Sequence, residues 1–345
     1  MVNVAINGFG RIGRAFVRLA HNHPDFDIVA VNDLGDIENL AYLLEHDSVY
    51  GRSAFSVSTK ESKIIIDDKE VKFLQEKDPA DLPWGAMDVD LVIEATGRFN
   101  DYADAKRHLE SGAKRVVLSA PAKGSATEAD VSGATVLMGV NQSKLQDCQI
   151  SSNASCTTNA TSPVISILKE AIGIESAVLN TVHAYTASQS LVDGTNKKDP
   201  RSGRAAALNI IPSTTGAAVA TTEVHTDLAG KFSGIAMRVP VAIGSVVDIT
   251  FIAGRETTVE EVNQALFDAS ESETWGDIFT ATDDPLVSSD VIGAQFASIA
   301  DLSFTQVVGG RLVKVLAWYD NETSYAHTLV EHVAEVSRLL ESAKE

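Results

Sequence analysis

The sequence contains little cysteine, with only Cys148 and Cys156 in 345 residues. Two cysteines do not make the disulfide framework of a secreted scaffold, which indicates a reducing compartment. No apolar run approaches the ~18 residues of a membrane-spanning helix. The chain opens with a strand-like segment instead of a basic, apolar, cleavable leader. We therefore expect a cytoplasmic protein that is not secreted.

Basic residues are scarce relative to acidic ones, with 28 Lys and Arg against 47 Asp and Glu and a net charge of −19. Such a field repels nucleic acid and anionic membranes, so we expect neither as the main partner. Local arginines can still bind a small anion. An acidic surface is also consistent with a high-salt habitat, which is an inference about the host organism and not about the reaction.

Length and composition indicate a globular protein of two domains. A chain of 345 residues exceeds the usual single domain. Its 44% hydrophobic and 22% charged residues are typical of a soluble protein, and the sequence has no internal repeat or low-complexity tract.

The N-terminal motif is a short apolar strand, a glycine-rich turn and a segment of helical spacing, at Val2–Ile6, Gly8–Gly13 and Arg14–Ala20. Gly8 allows the tight turn, Gly10 lets a pyrophosphate approach the backbone, and Gly13 lets helix pack on strand. A second strand, Asp27–Val31, leads to Asp33, whose carboxylate can hold a ribose hydroxyl. An ordinary glycine-rich turn is the alternative, but the correct flanks and the acid favour a dinucleotide site.

Strand and helix patterns alternate through the first half. The expected strands are Val89–Gly97, Arg115–Ser119, Val136–Val140 and Gln149–Ser152, with a helix at Tyr102–Ser111. This alternation of strands and helices predicts a doubly wound, Rossmann-type sheet with its ligand crevice at the carboxyl ends of the strands. Thr96, Gly97 and Ser119 fall at those ends.

Long apolar strands dominate the second half. They are expected at Ala177–His183, Phe232–Pro240, Ser245–Ala253 and Leu312–Trp318, with helices at Val259–Ser270 and Glu322–Ser342. The polar segment Ala187–Arg204 has little periodicity, and a loop of that length in a compact domain is usually functional or part of an interface.

Cys156 lies between a strand-like run and a helix-like run, within Asn153–Ala160. It is therefore expected near a helix N-terminus, where free backbone N–H groups and the helix dipole favour a thiolate. The alternative is a small buried hydrophobe in a polar turn. Cys148 fits a structural residue before a strand.

Among the eight histidines, His183 ends a strongly apolar strand and opens a loop. A satisfied core histidine is the default for such a position. Together with a cysteine at a helix start, a thiolate–imidazolium couple becomes the better interpretation.

Three polar clusters suit a bound anion: Thr214-Thr215-Gly216 before a helical run, Arg238 in an apolar strand, and Arg201 with Arg204. Beside a Cys–His couple and a dinucleotide fold, they indicate a phosphorylated aldehyde or acyl substrate.

These stretches resemble the phosphorylating glyceraldehyde-3-phosphate dehydrogenases along essentially the whole chain. The matching segments are Asn7–Arg14, Ser152–Asn159, His183–Thr186, Arg204–Ala207, Pro212–Ala217, Ala236–Pro240 and Trp318–Glu322. The resemblance implies an α/β protein, with a Rossmann-type domain at 1–155 and 320–345. An α+β catalytic domain with a large, mostly antiparallel sheet would occupy 156–319.

The resemblance also implies residue roles. Cys156 would be the nucleophile and His183 its base, while Thr186 and Arg238 would bind the substrate's phosphate. The attacking inorganic phosphate would contact Ser155, Thr157, Thr215 and Gly216. The dinucleotide would lie against Gly8, Gly10, Arg11, Ile12, Gly13, Asp33, Thr96, Gly97, Ser119 and Asn321.

The implied reaction oxidises D-glyceraldehyde 3-phosphate through a cysteine thioester, with NAD as hydride acceptor, and releases 1,3-bisphosphoglycerate. A homotetramer is implied and no metal is expected. An erythrose-4-phosphate dehydrogenase on the same scaffold is the closest rival. A catalytically silent dinucleotide-sensing protein is a more remote one.

The chain departs from the family pattern in two places that bear on ligands. Ser188 and Ser202 stand where the family usually has an acid and a base, which we hypothesise to be a pair lost together, so that phosphate binding survives with weaker affinity. Gly194-Thr195 replaces a Leu-Pro common in NAD-specific members, and its small polar residues could accept a 2′-phosphate. Asp33 and Leu34 favour NAD. We therefore expect NAD to be preferred and NADP to be used measurably.

Overall fold

The structure, a computed structural model, describes residues 1–197 and 199–344. The chain divides into two compact units: Met1–Ala154 with the residues from Ala326 onward, and Ser155–Tyr325. The sequence-based boundaries lie at 155/156 and 319/320. No helix in the described ranges is both long enough and apolar enough to cross a membrane.

The first unit is built from strands and helices in alternation. Its elements are β1 (Val2–Asn7), α1 (Arg11–Ala20), β2 (Phe26–Asn32), α2 (Ile37–Glu45), β3 (His46–Asp47), β4 (Gly51–Arg52), β5 (Val57–Lys60), β6 (Lys63–Ile66), β7 (Lys69–Leu74), β8 (Leu91–Glu94), α3 (Tyr102–Glu110), β9 (Arg115–Leu118), β10 (Gly133–Thr135) and β11 (Ile150–Ser152).

The main sheet of this unit has the order β10-β11-β9-β8-β1-β2-β7-β6-β5. Its strands are parallel from β10 to β7, and an antiparallel extension of β6 and β5 follows. The strand order reverses at β1, which lies between β8 and β2. This topological switch point is where a doubly wound sheet binds its ligand. The strands β5, β6 and β7 were not predicted from the sequence.

The predicted strand Val136–Val140 is wrong, because the strand ends at Thr135. The Asn141 side chain accepts from Leu137 N (2.7 Å) and donates to Thr135 O (3.0 Å), so it occupies backbone groups that would continue the ladder. Gly139 has a φ of 77°, which extended strands do not allow. Val136 and Leu137 are apolar because they are buried in a turn.

The second unit is an α+β layer structure. Its elements are α4 (Cys156–Ile172), β12 (Ile174–Ala184), β13 (Ile211–Thr214), α5 (Ala217–Val224), β14 (Phe232–Val239), β15 (Ser245–Ala253), α6 (Val259–Ser270), β16 (Phe279–Thr282), β17 (Ser298–Val308), β18 (Leu312–Tyr319) and the start of α7 (Thr323–Ser342). Most of α7 belongs to the first unit.

The sheet of the second unit has the order β13-β14-β12-β15-β18-β17-β16, with parallel pairing only at β12–β14 and β16–β17 within the described residues. One face packs against α4, α5 and α6 around buried residues such as Leu168, Phe251 and Val315. The expected fold class, a Rossmann-type unit plus a unit with a mostly antiparallel sheet, is confirmed.

Candidate active site

Cys156 is the first residue of α4, as the sequence predicts. Ser155 caps the helix, because its Oγ accepts a hydrogen bond from Thr158 N at 3.1 Å. The backbone N–H groups of Cys156 and Thr157 at this helix start lie near the sulfur and favour its charged form. Cys156 is partly buried, whereas Cys148 is buried and its Sγ lies 3.1 Å from Lys144 O.

His183 contacts Cys156 directly. Its Nε2 lies 3.5 Å from Cys156 Sγ, and the imidazole packs edge-on against the ring of Tyr319. The parallel register of β12 and β14 pairs His183 with Arg238. Because side chains at paired positions lie on the same face of a sheet, Arg238 reaches the histidine, and its Nη1 lies 2.6 Å from His183 Nδ1.

Burial opposes the expected thiolate–imidazolium couple in the structure without ligands. Burial raises the pKa of the Cys156 thiol, and Arg238 and the donors of Thr157 offset that rise only in part. Burial lowers the pKa of His183 to about 3, and the positive charge of Arg238 makes a smaller contribution in the same direction. Both directions favour a thiol beside a neutral imidazole, because desolvation outweighs the helix N-terminus.

Tyr319 is a site residue that the sequence analysis missed. Its fully buried hydroxyl bonds with Thr157 Oγ1 at 3.0 Å and with Thr181 Oγ1 at 2.9 Å, and burial raises its pKa. Tyr319 therefore orients the hydroxyl next to the cysteine. It was overlooked because it ends an apolar strand, where an aromatic residue is ordinary core.

The remaining phosphate candidates lie on two loops. Thr186 follows β12, and its Oγ1 bonds with Ser188 Oγ at 2.8 Å. Thr215 and Gly216 immediately precede α5, and Ala217 N donates to Thr215 Oγ1 at 3.2 Å. Within the described residues, no hydrogen bond joins Thr186, Thr215 or Gly216 to Cys156 or His183. The direct contacts are those among Cys156, His183, Arg238 and Thr157.

The polar loop at 187–204 contains no helix or strand longer than one 3-10 turn, Pro200–Gly203, in the part that the structure describes. Its middle packs against its C-terminal part, because Gly194 N donates to Gly203 O at 2.8 Å and a Cβ at Gly203 would collide with Gly194 O. Arg204 forms an ion pair with Asp193 at 3.1 Å, and Thr195 is exposed. Residue 198 lies outside the described residues.

The first unit holds the predicted glycine turn between β1 and α1. A Cβ at Gly8 would meet Thr96 N at 2.5 Å, and one at Gly13 would meet Gly8 O at 2.4 Å, so both are packing positions. At Gly10 no protein atom lies within 4 Å of such a Cβ. Gly10 also precedes α1, whose first turn has no acidic residue and no side-chain cap. The turn therefore offers a helix N-terminus with open space beside it, which fits a pyrophosphate.

A crevice of about 240 Å³ adjoins this turn and is lined by residues that include Asn7, Asp33, Lys77, Thr96 and Arg98. The carboxylate of Asp33 accepts from Phe9 N at 2.7 Å and from Gly35 N at 2.8 Å. It thus holds the turn in shape as well as supplying charge where a ribose is expected.

A buried network beneath the crevice was not predicted from the sequence. The Glu94 carboxylate accepts from Asn7 Nδ2 at 2.6 Å and from Thr96 N at 2.8 Å, and it lies 3.2 Å from His108 Nε2. Trp84 Nε1 donates to His108 Nδ1 at 3.0 Å, so the ring proton of His108 faces Glu94. Glu94 therefore positions Asn7 and Thr96. In the sequence, Glu94 is only a single acidic residue at the end of an apolar strand.

The other predicted cofactor residues are placed as follows. Arg11 forms an ion pair with Asp47 at 3.0 Å. Ile12 is partly buried on α1, Gly97 has a φ of 70°, and Ser119 N donates to Glu94 O. Asn321 belongs to the second unit, where its Oδ1 accepts from Ser245 Oγ at 3.0 Å. Over the residues described, no cluster of three His, Cys, Asp or Glu could hold a metal ion.

Two family models match the chain. Residues 2–102 match the NAD binding domain of glyceraldehyde 3-phosphate dehydrogenase, and residues 155–321 match its C-terminal domain. The chain is 47% identical over 338 residues to the glyceraldehyde-3-phosphate dehydrogenase of Geobacillus stearothermophilus, covering 97% of this chain and 98% of that protein. It is 44% identical over 339 residues to glyceraldehyde-3-phosphate dehydrogenase 3 of Saccharomyces cerevisiae, with 97% and 99% covered. The two matched domains and the near-complete coverage lead to one conclusion: the chain belongs to the glyceraldehyde-3-phosphate dehydrogenase family.

Proposed function

We propose that this protein oxidises D-glyceraldehyde 3-phosphate, with NAD and inorganic phosphate, to 1,3-bisphosphoglycerate. The observation that carries this proposal is the contact chain from Cys156 Sγ to His183 Nε2 (3.5 Å) and from His183 Nδ1 to the Arg238 guanidinium (2.6 Å). It joins a nucleophile, a base and a permanent cation, the three groups that an anionic aldehyde requires.

Cys156 is the proposed nucleophile. Its sulfur attacks the aldehyde carbon, its proton goes to His183 Nε2, and the N–H groups at the start of α4 stabilise the oxyanion of the hemithioacetal. Bound NAD supplies the hydride acceptor that converts the hemithioacetal to a thioester. Before that stage His183 returns its proton to the oxyanion, which gives the hemithioacetal hydroxyl, and the neutral ring takes that hydroxyl proton back as the hydride leaves. Only a sulfur nucleophile conserves the oxidation energy in a thioester that phosphate can cleave.

The phosphate groups are assigned to two sets of residues. Arg238 and Thr186 are proposed to bind the phosphate of the substrate. Ser155, Thr157, Thr215 and Gly216 are proposed to bind the attacking inorganic phosphate. The hydroxyls near the N-termini of α4 and α5 support this assignment, because helix N-termini favour anions.

NAD is the cofactor that the first unit fits. The N-terminus of α1 and the open space at Gly10 would take the pyrophosphate, with Gly8, Gly13, Arg11 and Ile12 forming the turn. Asp33 would take the adenosine ribose, whereas Thr96, Gly97 and Ser119 would line the crevice beyond the strands. Asn321 is proposed to hold the nicotinamide carboxamide.

We propose a cytoplasmic homotetramer without a nucleic-acid or membrane partner. The sheet face of the second unit that is not packed on helices exposes Val178, Ile235, Ile252 and Leu312. A group of apolar side chains on one face supports burial against another subunit. Leu191 and Val192 on the polar loop are 77% and 73% exposed and support the same proposal. The two unpaired cysteines support the compartment, and the net charge of −19 opposes anionic partners.

Assays of D-glyceraldehyde 3-phosphate and erythrose 4-phosphate, each with NAD and with or without inorganic phosphate, test the proposed reaction. We expect rapid NADH formation only with glyceraldehyde 3-phosphate plus phosphate. Phosphate-independent oxidation of erythrose 4-phosphate would instead support the dehydrogenase for that sugar. NAD binding without any turnover would indicate a silent dinucleotide-sensing protein.

A further inference from the structure

The buried hydroxyl of Ser245 joins the ends of two strands to the residue proposed to hold the nicotinamide. Ser245 begins β15, is 1% exposed, and lies opposite Tyr319 at the end of β18. Its Oγ accepts a hydrogen bond from Ala184 N, at the end of β12, at 3.1 Å. The same hydroxyl donates to Asn321 Oδ1 at 3.0 Å. All four residues belong to the second unit.

These two hydrogen bonds favour one orientation of the Asn321 side-chain amide. A hydroxyl carries one proton, and a backbone N–H can only donate. The Ser245 proton therefore needs an acceptor other than Ala184 N, and Asn321 Oδ1 is that acceptor. If the amide were reversed, its NH2 group would face Ser245 Oγ, and the buried hydroxyl proton would lose its acceptor at a cost in free energy. The amide oxygen thus faces Ser245, and Nδ2 faces away from it.

The backbone around Asn321 is held in place as well. The carboxylate of Asp320 accepts from Glu322 N and Thr323 N, both at 2.9 Å, and from Gly293 N at 2.8 Å. Asn321 is 5% exposed, and in the part of the chain that the structure describes no group accepts a hydrogen bond from its Nδ2. A nearly buried NH2 group without a protein acceptor indicates that a ligand supplies one.

We propose that Ser245 is a positioning residue, which orients the Asn321 amide so that its NH2 group donates to the carbonyl oxygen of the nicotinamide carboxamide. This inference rests on the proposed function, in which Asn321 holds that carboxamide. A carboxamide offers a carbonyl acceptor and an NH2 donor, and the NH2 group of Asn321 can bind only the carbonyl. The second unit therefore recognises the nicotinamide through its carbonyl oxygen, and Ser245 makes that choice.

Isothermal titration calorimetry of the full-length, cofactor-free protein tests the proposal with NAD and with ADP-ribose, which lacks the nicotinamide. Ser245→Ala should weaken NAD binding about three- to tenfold, the effect of one hydrogen bond, and leave ADP-ribose binding unchanged. Equal weakening of both ligands would indicate a merely structural role and would overturn the proposal. Unchanged NAD binding would overturn it too.

Ser298→Ala is the matched control for loss of a buried hydroxyl. Ser298 lies on β17 of the same sheet and is fully buried, and its Oγ has no hydrogen-bond partner among the described residues. Its replacement should change the affinity for neither ligand.

A double-mutant cycle tests whether Ser245 acts through Asn321. Asn321→Ala should weaken NAD binding, and adding Ser245→Ala to that variant should weaken it no further, because the amide that the hydroxyl orients is gone. Losses that simply add would mean that the two residues act independently, and the proposal would fail.

A cofactor analogue tests the orientation of the amide in the wild-type protein, without any variant. In 3-acetylpyridine adenine dinucleotide, the carbonyl of the carboxamide is retained and a methyl group replaces its NH2 group. We expect this analogue to bind with an affinity close to that of NAD. An affinity as low as that of ADP-ribose would mean that the site binds the NH2 group of the carboxamide, which contradicts the proposed orientation.

The outcomes separate this inference from the proposed function. If Asn321→Ala leaves the ratio of NAD to ADP-ribose affinity unchanged, Asn321 does not hold the nicotinamide, and that part of the proposed function fails. If Asn321→Ala lowers the ratio and Ser245→Ala does not, only the positioning role of Ser245 fails.

Discussion

At the residue scale, the reactivity of Cys156 and His183 depends on how strongly burial disfavours their charged forms. Cys156 and His183 lie in contact, yet burial raises the pKa of the thiol and lowers that of the imidazole. Burial therefore opposes the charged pair that attack on an aldehyde requires.

The first prediction compares the two cysteines. Cys156→Ser should remove turnover, because an alcohol of much higher pKa cannot supply the nucleophile, and should leave NAD binding largely intact. Cys148→Ser should be nearly silent, since Cys148 is buried and its Sγ contacts Lys144 O. Steady-state kinetics, NAD titration and mass mapping of alkylated cysteines provide the measurements. Faster labelling of Cys148 than of Cys156 would contradict the assignment.

At the element scale, we propose that two segments control cofactor choice. The turn between β1 and α1 is held by Asp33, whose carboxylate accepts from Phe9 N and Gly35 N. The loop at 187–204 is closed by the pairing of Gly194 and Gly203 and exposes Thr195. Neither segment has the regular backbone of a helix or strand, so each depends on a few side chains and glycines for its shape.

The second prediction concerns NAD against NADP. A 2′-phosphate beside Asp33 should cost at least ~1 kcal/mol, so NAD should be preferred by a modest ratio of kcat/KM while NADP is used measurably. Asp33→Asn, which keeps one acceptor oxygen, should shift preference toward NADP. Asp33→Ala should shift it too but weaken both cofactors, because two backbone N–H groups lose their partner.

Thr195→Pro provides the matching change on the loop and should shift preference toward NAD. This expectation requires the proposed tetramer, in which the loop reaches a neighbouring subunit's ribose. Equal loss of both cofactors, or a monomer by light scattering, would contradict it.

At the scale of the whole molecule, buried neutral histidines occur in both units. His332 in the first unit is fully buried, with Ser151 Oγ at 2.7 Å, and burial lowers its pKa to about 3. In the second unit, burial lowers the pKa of His225 to about 4 and that of His183 to about 3. The fold therefore prefers the uncharged ring at each position.

The third prediction is that acid lowers the free energy of unfolding. Because the folded pKa values lie below the unfolded value of about 6.5, their contribution is complete above that pH. It is lost as the pH falls toward about 4 for His225 and about 3 for His183 and His332. Each group adds up to about 1.4 kcal/mol per pH unit to the slope. Urea unfolding at fixed protein concentration should show little change between pH 7 and 8 and a steep fall from 6.5 to 5. His332→Asn should reduce that slope, and an unchanged slope would exclude His332 as a source.

Much of the fold and part of the site could be predicted from the sequence, because the signals are local. The order of strand, glycine turn and helix at Val2–Ala20 follows from periodicity and residue type, as does the placement of Cys156 at a helix start. The identity of His183 as the partner rested on its position at the end of an apolar strand. Each inference needs only neighbours in sequence and the geometry of one element.

Tertiary structure alone decided what depends on pairing and burial. The register of β12 with β14 places Arg238 against His183, and burial sets the direction of both pKa shifts at the cysteine couple. The Asn141 side chain ends a strand at Thr135. Glu94 becomes a network centre only because Asn7, Thr96 and His108 converge on it from separate elements. Register and desolvation arise from residues far apart in the chain, so no local pattern encodes them.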